Sequence, residues 1–311
     1  MSAAASEIIL SILRGILNVA LVLALAPLFE GLLRKITARI QSRQGPPVIQ
    51  SYLDLLKLLG KEDIESGVSP RLQRFAAYLS LAAILSVALL VPLGAPAPLG
   101  GSGDAVLLIY LLTLCGISTL LAALAAGSVY SLIGMSREMM AMMTLEPILA
   151  VAVVVGAMRT GSLRLDEVLN GSVYAGELFP LAGVLLLVVG VVSLQGFVGR
   201  TPFDTTEAET EIMEGPFIEY SGPKLALFKY AHMAKLMVYG AIFTGIFLPW
   251  GNSLVWPLGL LVVLAKVLAL VLLVTVLAAT HARYRIDQAL RYYGFLFGVS
   301  LVAVVLTAWG F

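Results

Sequence analysis

The sequence predicts an all-α, polytopic membrane protein, and three observations support that fold class. Of its 311 residues, 59% are hydrophobic and only 13% are charged, which is about half the charged share of an ordinary globular domain. The mean hydropathy is +0.97, and the apolar residues are concentrated in runs of about 20, the length that an α-helix needs to cross a bilayer. So few charges could not cover the surface of a water-soluble domain. We therefore exclude a soluble enzyme, a secreted disulfide scaffold and a disordered chain, and expect one integral membrane domain over 1–311.

Eight apolar runs are long enough to be transmembrane helices. The first contains Arg14 and ends without a small-residue cleavage site, so we interpret it as a retained span rather than a signal peptide. The predicted spans are 8–29, 75–93, 105–126, 139–158, 178–198, 232–250, 254–279 and 292–310.

The distribution of basic residues predicts the orientation of these spans. Loops 1, 3, 5 and 7 hold fifteen Lys and Arg residues, whereas loops 2, 4 and 6 hold two. Because basic loops stay on the cytoplasmic side of a membrane, we expect loops 1, 3, 5 and 7 to face the cytoplasm and both termini to face outward.

Loop 1 (30–74) contains apolar residues at helical spacing. The run is too short and too charged to span a bilayer, so we expect an amphipathic helix that lies in the membrane interface or against a partner. The bases that precede this helix fit two interpretations, binding of anionic lipid or docking of a soluble subunit. The apolar positions are Val48, Ile49, Tyr52, Leu55, Leu56 and Leu59. The residues assigned to partner docking are Arg34, Arg39, Arg43, Asp54, Lys57 and, in loop 5, Arg200.

Loop 5 (199–231) is the most informative segment, because six of the nineteen acidic residues fall in it. They are Asp204, Glu207, Glu209, Glu211, Glu214 and Glu219. If the stretch after Pro202 is helical, all but Glu209 and Glu219 lie within about 80° of one face, and their mutual repulsion raises some of their pKa values. Two interpretations remain open: a solvated acidic face that docks a basic partner, or a partly buried segment with a role in proton or charge transfer.

Several ionisable residues fall inside or beside the predicted spans. Glu146 lies in the middle of the fourth span and Lys266 near the middle of the seventh, where a charge costs at least about 2–3 kcal/mol unless it is paired or hydrated. One interpretation is a static Glu146–Lys266 ion pair, and the other is a proton or cation path that starts at the acidic loop. The further members of such a path are His232 and Lys235 in the sixth span and Arg137 and Glu138 at the mouth of the fourth.

Few residues could hold a metal or cofactor. Cys115 is the single cysteine, and His232 and His281 are the two histidines. We therefore expect no disulfide, no thiolate-held iron–sulfur cluster and no metal site in this chain. The net charge of +1 gives no reason to expect a nucleic-acid partner.

Loop 5 also carries the motif of a known family. From Arg200 the sequence reads RTPFDTTEAETEIMEGPFIEYSG, which resembles the R-x-P-F-D-x-x-E-x-E-x-E run and the following E-Y-S of the complex I subunit 1 family. Ala38–Pro46 (ARIQSRQGP) resembles that family's AR-x-Q-x-R-x-GP motif, and Asp54–Leu58 (DLLKL) resembles its D-x-x-K-L motif. The resemblance covers nearly the whole chain, and the family's eight spans and outward amino terminus agree with the topology predicted above.

Within this family the chain most resembles the membrane subunits of energy-converting group 4 nickel–iron (NiFe) hydrogenases, which include formate hydrogenlyase and the Ech, CO-induced and Mbh types. The variants that indicate this branch lie at Glu214–Gly222, Ser136–Glu138 and Leu145–Pro147. The resemblance implies a non-catalytic anchor in a prokaryotic cytoplasmic membrane. Its partners would be the large and small iron–sulfur subunits of the hydrogenase, antiporter-like membrane subunits and lipid. The NiFe centre and 4Fe–4S clusters are expected in those partners, and no cofactor is expected in this chain.

These implications lead to a mechanistic hypothesis. Glu207, Glu209, Glu211 and Glu214 match the family's acidic loop, and Glu146 and Lys266 match its charged positions within the membrane. We expect the acidic loop to sense electron transfer and proton reduction in the partner and to pass the signal to Glu146, Lys235 and Lys266. Such a step couples redox chemistry to proton or sodium translocation and needs an element with two states, for which Gly215-Pro216 is the candidate hinge.

Three alternatives remain open. The chain could line the quinone site of a complex I-type NADH:quinone oxidoreductase, although the departure from the family at Gly215–Ile218 disfavours that site. It could be a structural anchor without ion coupling. It could also be a standalone secondary transporter, but the sequence contains no convincing inverted repeat to support this.

Overall fold

The computed structural model describes residues 3–64, 67–94, 96–101, 103–170, 172–174, 180–251 and 257–310, without the side chains of 3–6, 172 and 209. This part of the chain is built from helices and contains no β-strand. Eleven α-helices are described, and two 3-10 turns follow α6 and α8, at Ser172–Tyr174 and Gly215–Phe217. The helices are α1 (Ala3–Ile40), α2 (Gln50–Leu59), α3 (Pro70–Leu90), α4 (Ala105–Ala126), α5 (Val129–Thr160), α6 (Leu165–Val168), α7 (Leu181–Val198), α8 (Glu209–Ile212), α9 (Gly222–Phe247), α10 (Leu258–Thr280) and α11 (Ile286–Ala308).

The predicted all-α membrane fold is confirmed. Within the described residues, seven helices are long and apolar enough to cross a membrane: α1, α3, α4, α5, α7, α10 and α11. The sixth predicted span lies in α9, whose 26 residues would extend about 39 Å. This helix is not among the seven, and it carries Lys224, Lys229, His232 and Lys235 in its first 14 residues.

The position of α9 explains how it tolerates those polar residues. It packs against α1, α2, α3, α7 and α10, and most of its side chains are buried by these neighbours rather than by lipid. Glycines let the neighbours approach closely, since a Cβ at Gly240 would lie 3.1 Å from Val267 and one at Gly245 2.9 Å from the Leu169 carbonyl oxygen. Small residues at helix contacts are typical of membrane bundles. The buried half of α9 can therefore present ionisable side chains to the interior.

Several described helices begin or end beyond the predicted spans, and α1 and α5 are the cases that matter for the site. α1 continues to Ile40, so Arg34 and Arg39 lie on its last turns rather than in a loop. α5 begins at Val129, which places Arg137 and Glu138 more than two turns inside the helix. Hydropathy detects the lipid-facing section of a helix and not its extension, so their position at the mouth of the fourth span stays a prediction.

The predicted amphipathic helix of loop 1 is α2. It packs on α1 and α9 through the buried side chains of Ser51 and Leu55, and the Tyr52 hydroxyl donates to the Ala24 carbonyl oxygen. Gly31 of α1 makes this crossing possible, because a Cβ there would lie 1.9 Å from the carbonyl oxygen of Val48. The opposite face of α2 is exposed and apolar, with large side chains at Ile49, Leu53, Leu56 and Leu59.

The stretch of loop 5 after Pro202 is not one continuous helix, so the predicted stripe of four carboxylates was wrong. Before α9 begins at Gly222, its described residues form only the short α8 and a 3-10 turn. Long-range contacts override the local helix propensity: Phe203 is buried among Tyr284, Tyr292 and Tyr293, with ring centroids 5.0–5.4 Å apart. Gly215 has φ +52°, and a Cβ there would lie 2.4 Å from the Thr206 carbonyl oxygen, so the chain folds back on itself at this glycine.

Candidate functional site

A polar cavity, here called the inner cavity, lies beneath loop 5 between α3, α4, α5, α7, α9 and α11. It offers about 80 Å³ to the centres of water molecules, enough for on the order of five waters. Glu146 in the middle of α5 forms its deepest acidic group, and Lys235 faces it from α9, with its ammonium 5.8 Å from the centroid of the Tyr239 ring. The ionisable side chains that line the cavity are Glu138, Glu146, Glu207, His232 and Lys235, together with Cys115, Tyr239 and Tyr293.

Five residues predicted separately from the sequence thus meet at one place. Two come from α5, two from α9 and one from loop 5. Helical spacing explains the pairs, since positions 138 and 146 are eight residues apart and positions 232 and 235 are three apart, so each pair returns to one side of its helix. The proximity is a finding of the structure, whereas the role of each residue in transport stays a prediction.

A second polar space, here called the outer cavity, lies on the other side of loop 5. It has a volume of about 290 Å³ and is bounded by the loop and by α1 and α9. Its charged lining mixes both signs and consists of Glu30, Arg34, Arg200, Asp204, Glu207, Glu214 and Lys229, with His232 beside them. Such a lining favours water over an apolar ligand.

Glu207 and His232 border both cavities, as do Gly199, Phe217 and Phe228. Burial raises the pKa of Glu207 from 4.5 to about 7. The nearby carboxylates of Asp204 and Glu138 raise this pKa further, while Arg200 and Lys235 oppose the shift. A carboxyl group with a pKa near the ambient pH can both take up and release a proton.

The other acidic residues of loop 5 are dispersed. Asp204 binds Arg283 at 2.6 Å, and Glu211 binds Arg137 at 2.5 Å. Arg137 also donates to the Thr205 carbonyl oxygen at 3.2 Å, so this pair holds loop 5 against α5. Glu214 is exposed at the rim of the outer cavity, Glu219 is half-buried before α9, and the side chain of Glu209 lies outside the described residues.

An ion network centred on a buried carboxylate connects α2 with loop 5, and sequence reasoning missed that central residue. Glu30 of α1, whose side chain is 4% exposed, binds both Arg34 and Arg200, and Arg34 also binds Asp54 of α2 at 3.1 Å. Glu30 was overlooked because it follows the first apolar run directly. The spacing of four between Glu30 and Arg34 is the signal that could have found it, since such residues are neighbours on a helix.

Three residues assigned to partner docking therefore also make contacts within the chain: Arg34, Asp54 and Arg200. The other three, Arg39, Arg43 and Lys57, have exposed side chains. A contact with a partner subunit stays a prediction for all six.

Lys266 lies apart from the inner cavity. Its ammonium donates to the carbonyl oxygen of Leu248 at 2.6 Å, and Leu248 follows Lys235 by 13 positions, or about 20 Å along a helix axis. Between these levels α9 presents buried apolar side chains, including Ile242, Phe243 and Phe247. The interpretation of Glu146 and Lys266 as a static ion pair was wrong, because Glu146 faces Lys235 in the inner cavity instead.

The family profile described as NADH dehydrogenase matches residues 13–308. The chain belongs to this family, which is that of complex I subunit 1. Curated relatives in Escherichia coli include hydrogenase-4 component C, 34% identical over 93% of this chain and 93% of that protein. Formate hydrogenlyase subunit 4 of the same organism is 31% identical over 95% of this chain and 98% of that protein. The resemblance stated from the loop motifs is thereby confirmed.

Relatives of other types share the same architecture. NADH-quinone oxidoreductase subunit 8 of Thermus thermophilus is 31% identical over 88% of this chain and 80% of its own length. A solved chain of the membrane-bound sulfane sulfur reductase, an archaeal respiratory membrane complex, superimposes with a TM-score of 0.85 at 28% identity, over 96% of this chain and 99% of that chain. Homologues are thus membrane subunits of multi-subunit respiratory complexes, and this chain is a multi-pass membrane protein of the same kind.

Proposed function

We propose that the chain is the membrane anchor and coupling subunit of an energy-converting NiFe hydrogenase complex. The observation that carries the proposal is the pair of polar cavities that meet at Glu207 and His232 and extend from the loop side to Glu146 in the middle of α5. The similarity of this chain to hydrogenase-4 component C and formate hydrogenlyase subunit 4, which extends over nearly its full length, favours a hydrogenase partner.

The five residues that border both cavities, Gly199, Glu207, Phe217, Phe228 and His232, form a wall between them. The proposed path runs from the outer cavity through this wall to the inner cavity. A proton enters among the charged groups of the outer cavity, binds Glu207, and passes to the water space that Glu138, Glu146 and Lys235 line. A redox reaction in the soluble partner changes the charge or position of loop 5 and so drives each transfer. The Gly215-Pro216 turn is the proposed hinge, because it lies at the contact between loop 5 and α5.

The path ends within this chain at Glu146 and Lys235. Beyond Tyr239 the buried side chains of α9 are apolar as far as Leu248 except for Thr244, whose hydroxyl donates to the Ala241 carbonyl oxygen, and a proton cannot cross such packing unaided. We therefore infer that the proton or sodium ion crosses the membrane in an antiporter-like partner subunit. In this scheme Lys266 acts at the far end of the bundle, toward that partner.

The soluble partners are the large and small iron–sulfur subunits of the hydrogenase, which carry the NiFe centre and the 4Fe–4S clusters. They dock on loops 1 and 5, where Arg39, Arg43 and Lys57 are exposed. The complex resides in a prokaryotic cytoplasmic membrane, with loops 1, 3, 5 and 7 in the cytoplasm and both termini outward.

The direct test is Glu146→Gln in inverted membrane vesicles that carry the whole complex. We expect hydrogen output to persist while formation of the ion gradient falls at least about tenfold, as for loss of an essential proton-transfer group. The matched control is Glu167→Gln, which neutralises an exposed carboxylate in α6 and should leave the gradient unchanged. A full gradient at wild-type hydrogen output in Glu146→Gln would contradict the proposed path.

The runner-up is a complex I-type subunit that lines a quinone site, and the 31% identity to the Thermus thermophilus subunit supports keeping it. Dependence of the purified complex on added quinone would favour that function.

Copurification in mild detergent identifies the soluble module directly, and it also distinguishes a hydrogenase from a sulfur-reducing complex. A structural anchor without coupling predicts that Glu207→Gln loosens the soluble module but leaves ion transport intact.

A further inference from the structure

The ion network links the amphipathic helix α2 to the lining of the outer cavity through four residues. Asp54 accepts from the Gln50 side chain at 3.0 Å and binds the Nη1 atom of Arg34 at 3.1 Å. The Nε atom of Arg34 binds one carboxylate oxygen of Glu30 at 3.2 Å, and Arg200 binds the other oxygen. The position of Arg200 therefore depends on whether Arg34 occupies one or both carboxylate oxygens of Glu30.

This arrangement permits a second pairing. Glu30 carries one negative charge and shares it between two guanidinium groups, each of which could use both oxygens in a bidentate pair. The buried Nε atom of Arg200 has no hydrogen-bond partner among the described residues, so Arg200 has an unused donor. Arg200 also lines the outer cavity, where Glu207 lies.

We propose that Glu30 is a positioning residue that holds Arg200 away from Glu207, and that a displacement of α2 releases Arg200 toward Glu207. When α2 moves, Arg34 loses Asp54 and turns fully to Glu30. Arg200 is then displaced and pairs with carboxylates across the outer cavity. This inference rests on the proposed function, because it gives α2 the task of reporting the state of the soluble partner to the proton path.

The electrostatic environment of Glu207 fixes the direction of the effect. Arg200 in its present position already opposes the rise of the Glu207 pKa, so its approach favours the ionised carboxylate and proton release. The other titratable or charged groups that line the two cavities with Glu207 come from loop 5, α1, α4, α5, α9 and α11. They are Asp204, Glu214, Glu30, Arg34, Cys115, Glu138, Glu146, Lys229, His232, Lys235, Tyr239 and Tyr293.

The test measures the number of protons translocated per hydrogen formed, as a function of the pH on the loop side, in vesicles that carry the whole complex. Glu30→Gln frees Arg200 and should lower the midpoint of this profile by about one pH unit, the lower end for an opposite charge brought within about 4–6 Å. Asp54→Asn should lower it in the same direction by less. Arg200→Gln should raise it by about one pH unit.

The double variant separates a relay from a general charge effect. If Asp54 acts through Arg200, Asp54→Asn has no effect in the Arg200→Gln background. Glu30→Asp keeps the charge and should restore most of the wild-type midpoint. The matched control is Asp287→Asn, which removes an exposed carboxylate whose partner is Arg285 at 3.6 Å and should leave the profile unchanged.

The outcomes are distinguishable from failure of the proposed function. If Glu207→Gln leaves the profile intact, the proton path itself is wrong. If Glu207→Gln abolishes the titration but Asp54→Asn and Glu30→Gln leave the midpoint in place, only the relay is overturned. An equal shift by Asp54→Asn with and without Arg200 also overturns it. Because Asp54 is half-exposed, its variant should assemble even if Glu30→Gln does not.

Discussion

Glu207 of loop 5 and His232 of α9 both form part of the wall between the outer and inner cavities. They are the ionisable members of that wall within the described part of the chain, and the rest of it is made by Gly199, Phe217 and Phe228. A proton that passes between the two water spaces at this wall can therefore be handed over at these two side chains.

Proton translocation should depend on pH through the titration of Glu207. Its pKa is raised to about 7 by burial and by neighbouring carboxylates, so the group is protonated below pH 7 and ionised above it. Protonation of Glu207 from the outer cavity then declines as the loop-side pH rises through about 7. We expect the ratio of protons translocated to hydrogen formed to fall over that range, and Glu207→Gln to remove the dependence together with most of the translocation.

The control for this prediction is Glu167→Gln, which neutralises an exposed carboxylate of α6 that lines neither cavity. It should therefore keep the wild-type pH profile. An unchanged profile in Glu207→Gln, or equal losses in both variants, would contradict the assignment of the titration to Glu207.

The single cysteine provides a reporter of solvent access to the inner cavity. Cys115 is buried but lines that cavity, so we expect a small water-soluble thiol reagent to reach it from the outer cavity through the wall. We expect slow modification in the wild type and a several-fold faster reaction in His232→Ala, which removes a wall side chain. Mass spectrometry of this subunit measures the modified fraction.

A matched cysteine on the same helix tests whether the reagent enters through the cavity. Ile117 of α4 is 41% exposed on the outer surface of the bundle. In a Cys115→Ser background, Ile117→Cys should react slowly with a water-soluble reagent, and His232→Ala should not change its rate. Equal acceleration at both positions would indicate general loosening of the bundle instead.

The sequence predicts the transmembrane helices well but not the course of loop 5. Apolar runs identify helices because burial in lipid demands them, and this holds for α4, α7 and α10. The fold of loop 5 is set by contacts over long separations, such as Asp204 with Arg283 and Phe203 with Tyr293, which no local pattern contains. The inner cavity was foreseeable in part, since charges inside spans must meet one another or water. The position of Lys266 outside the inner cavity could not be predicted, because the depth of a residue along a helix does not specify which neighbouring helix its side chain faces.

Phe203 should be the main apolar anchor of loop 5. It is buried against Tyr284, Tyr292 and Tyr293, and truncation of such a side chain to alanine typically costs about 3–5 kcal/mol. We expect Phe203→Ala to release loop 5, with faster proteolysis in that loop and loss of ion coupling. Phe295→Ala is the control, because Phe295 lies on α11 but is 68% exposed. Similar protease sensitivity in both variants would argue against this role of Phe203.

Gly134 should control how closely the 3-10 turn of loop 5 approaches α5. A Cβ at Gly134 would lie 2.7 Å from Cδ of Pro216 and 3.0 Å from its nitrogen, and neither atom can move without displacing the proposed hinge. Gly134→Ala should therefore push the turn outward, uncouple hydrogen formation from the ion gradient and leave the bundle itself assembled. Gly294→Ala is the matched control, since Gly294 is also in a transmembrane helix and a Cβ there would meet no atom within 4 Å. The measurement is the gradient per hydrogen formed in vesicles with equal amounts of assembled complex. A normal ratio in Gly134→Ala would mean that loop 5 accommodates the methyl group and that the close approach at Pro216 is not required for coupling.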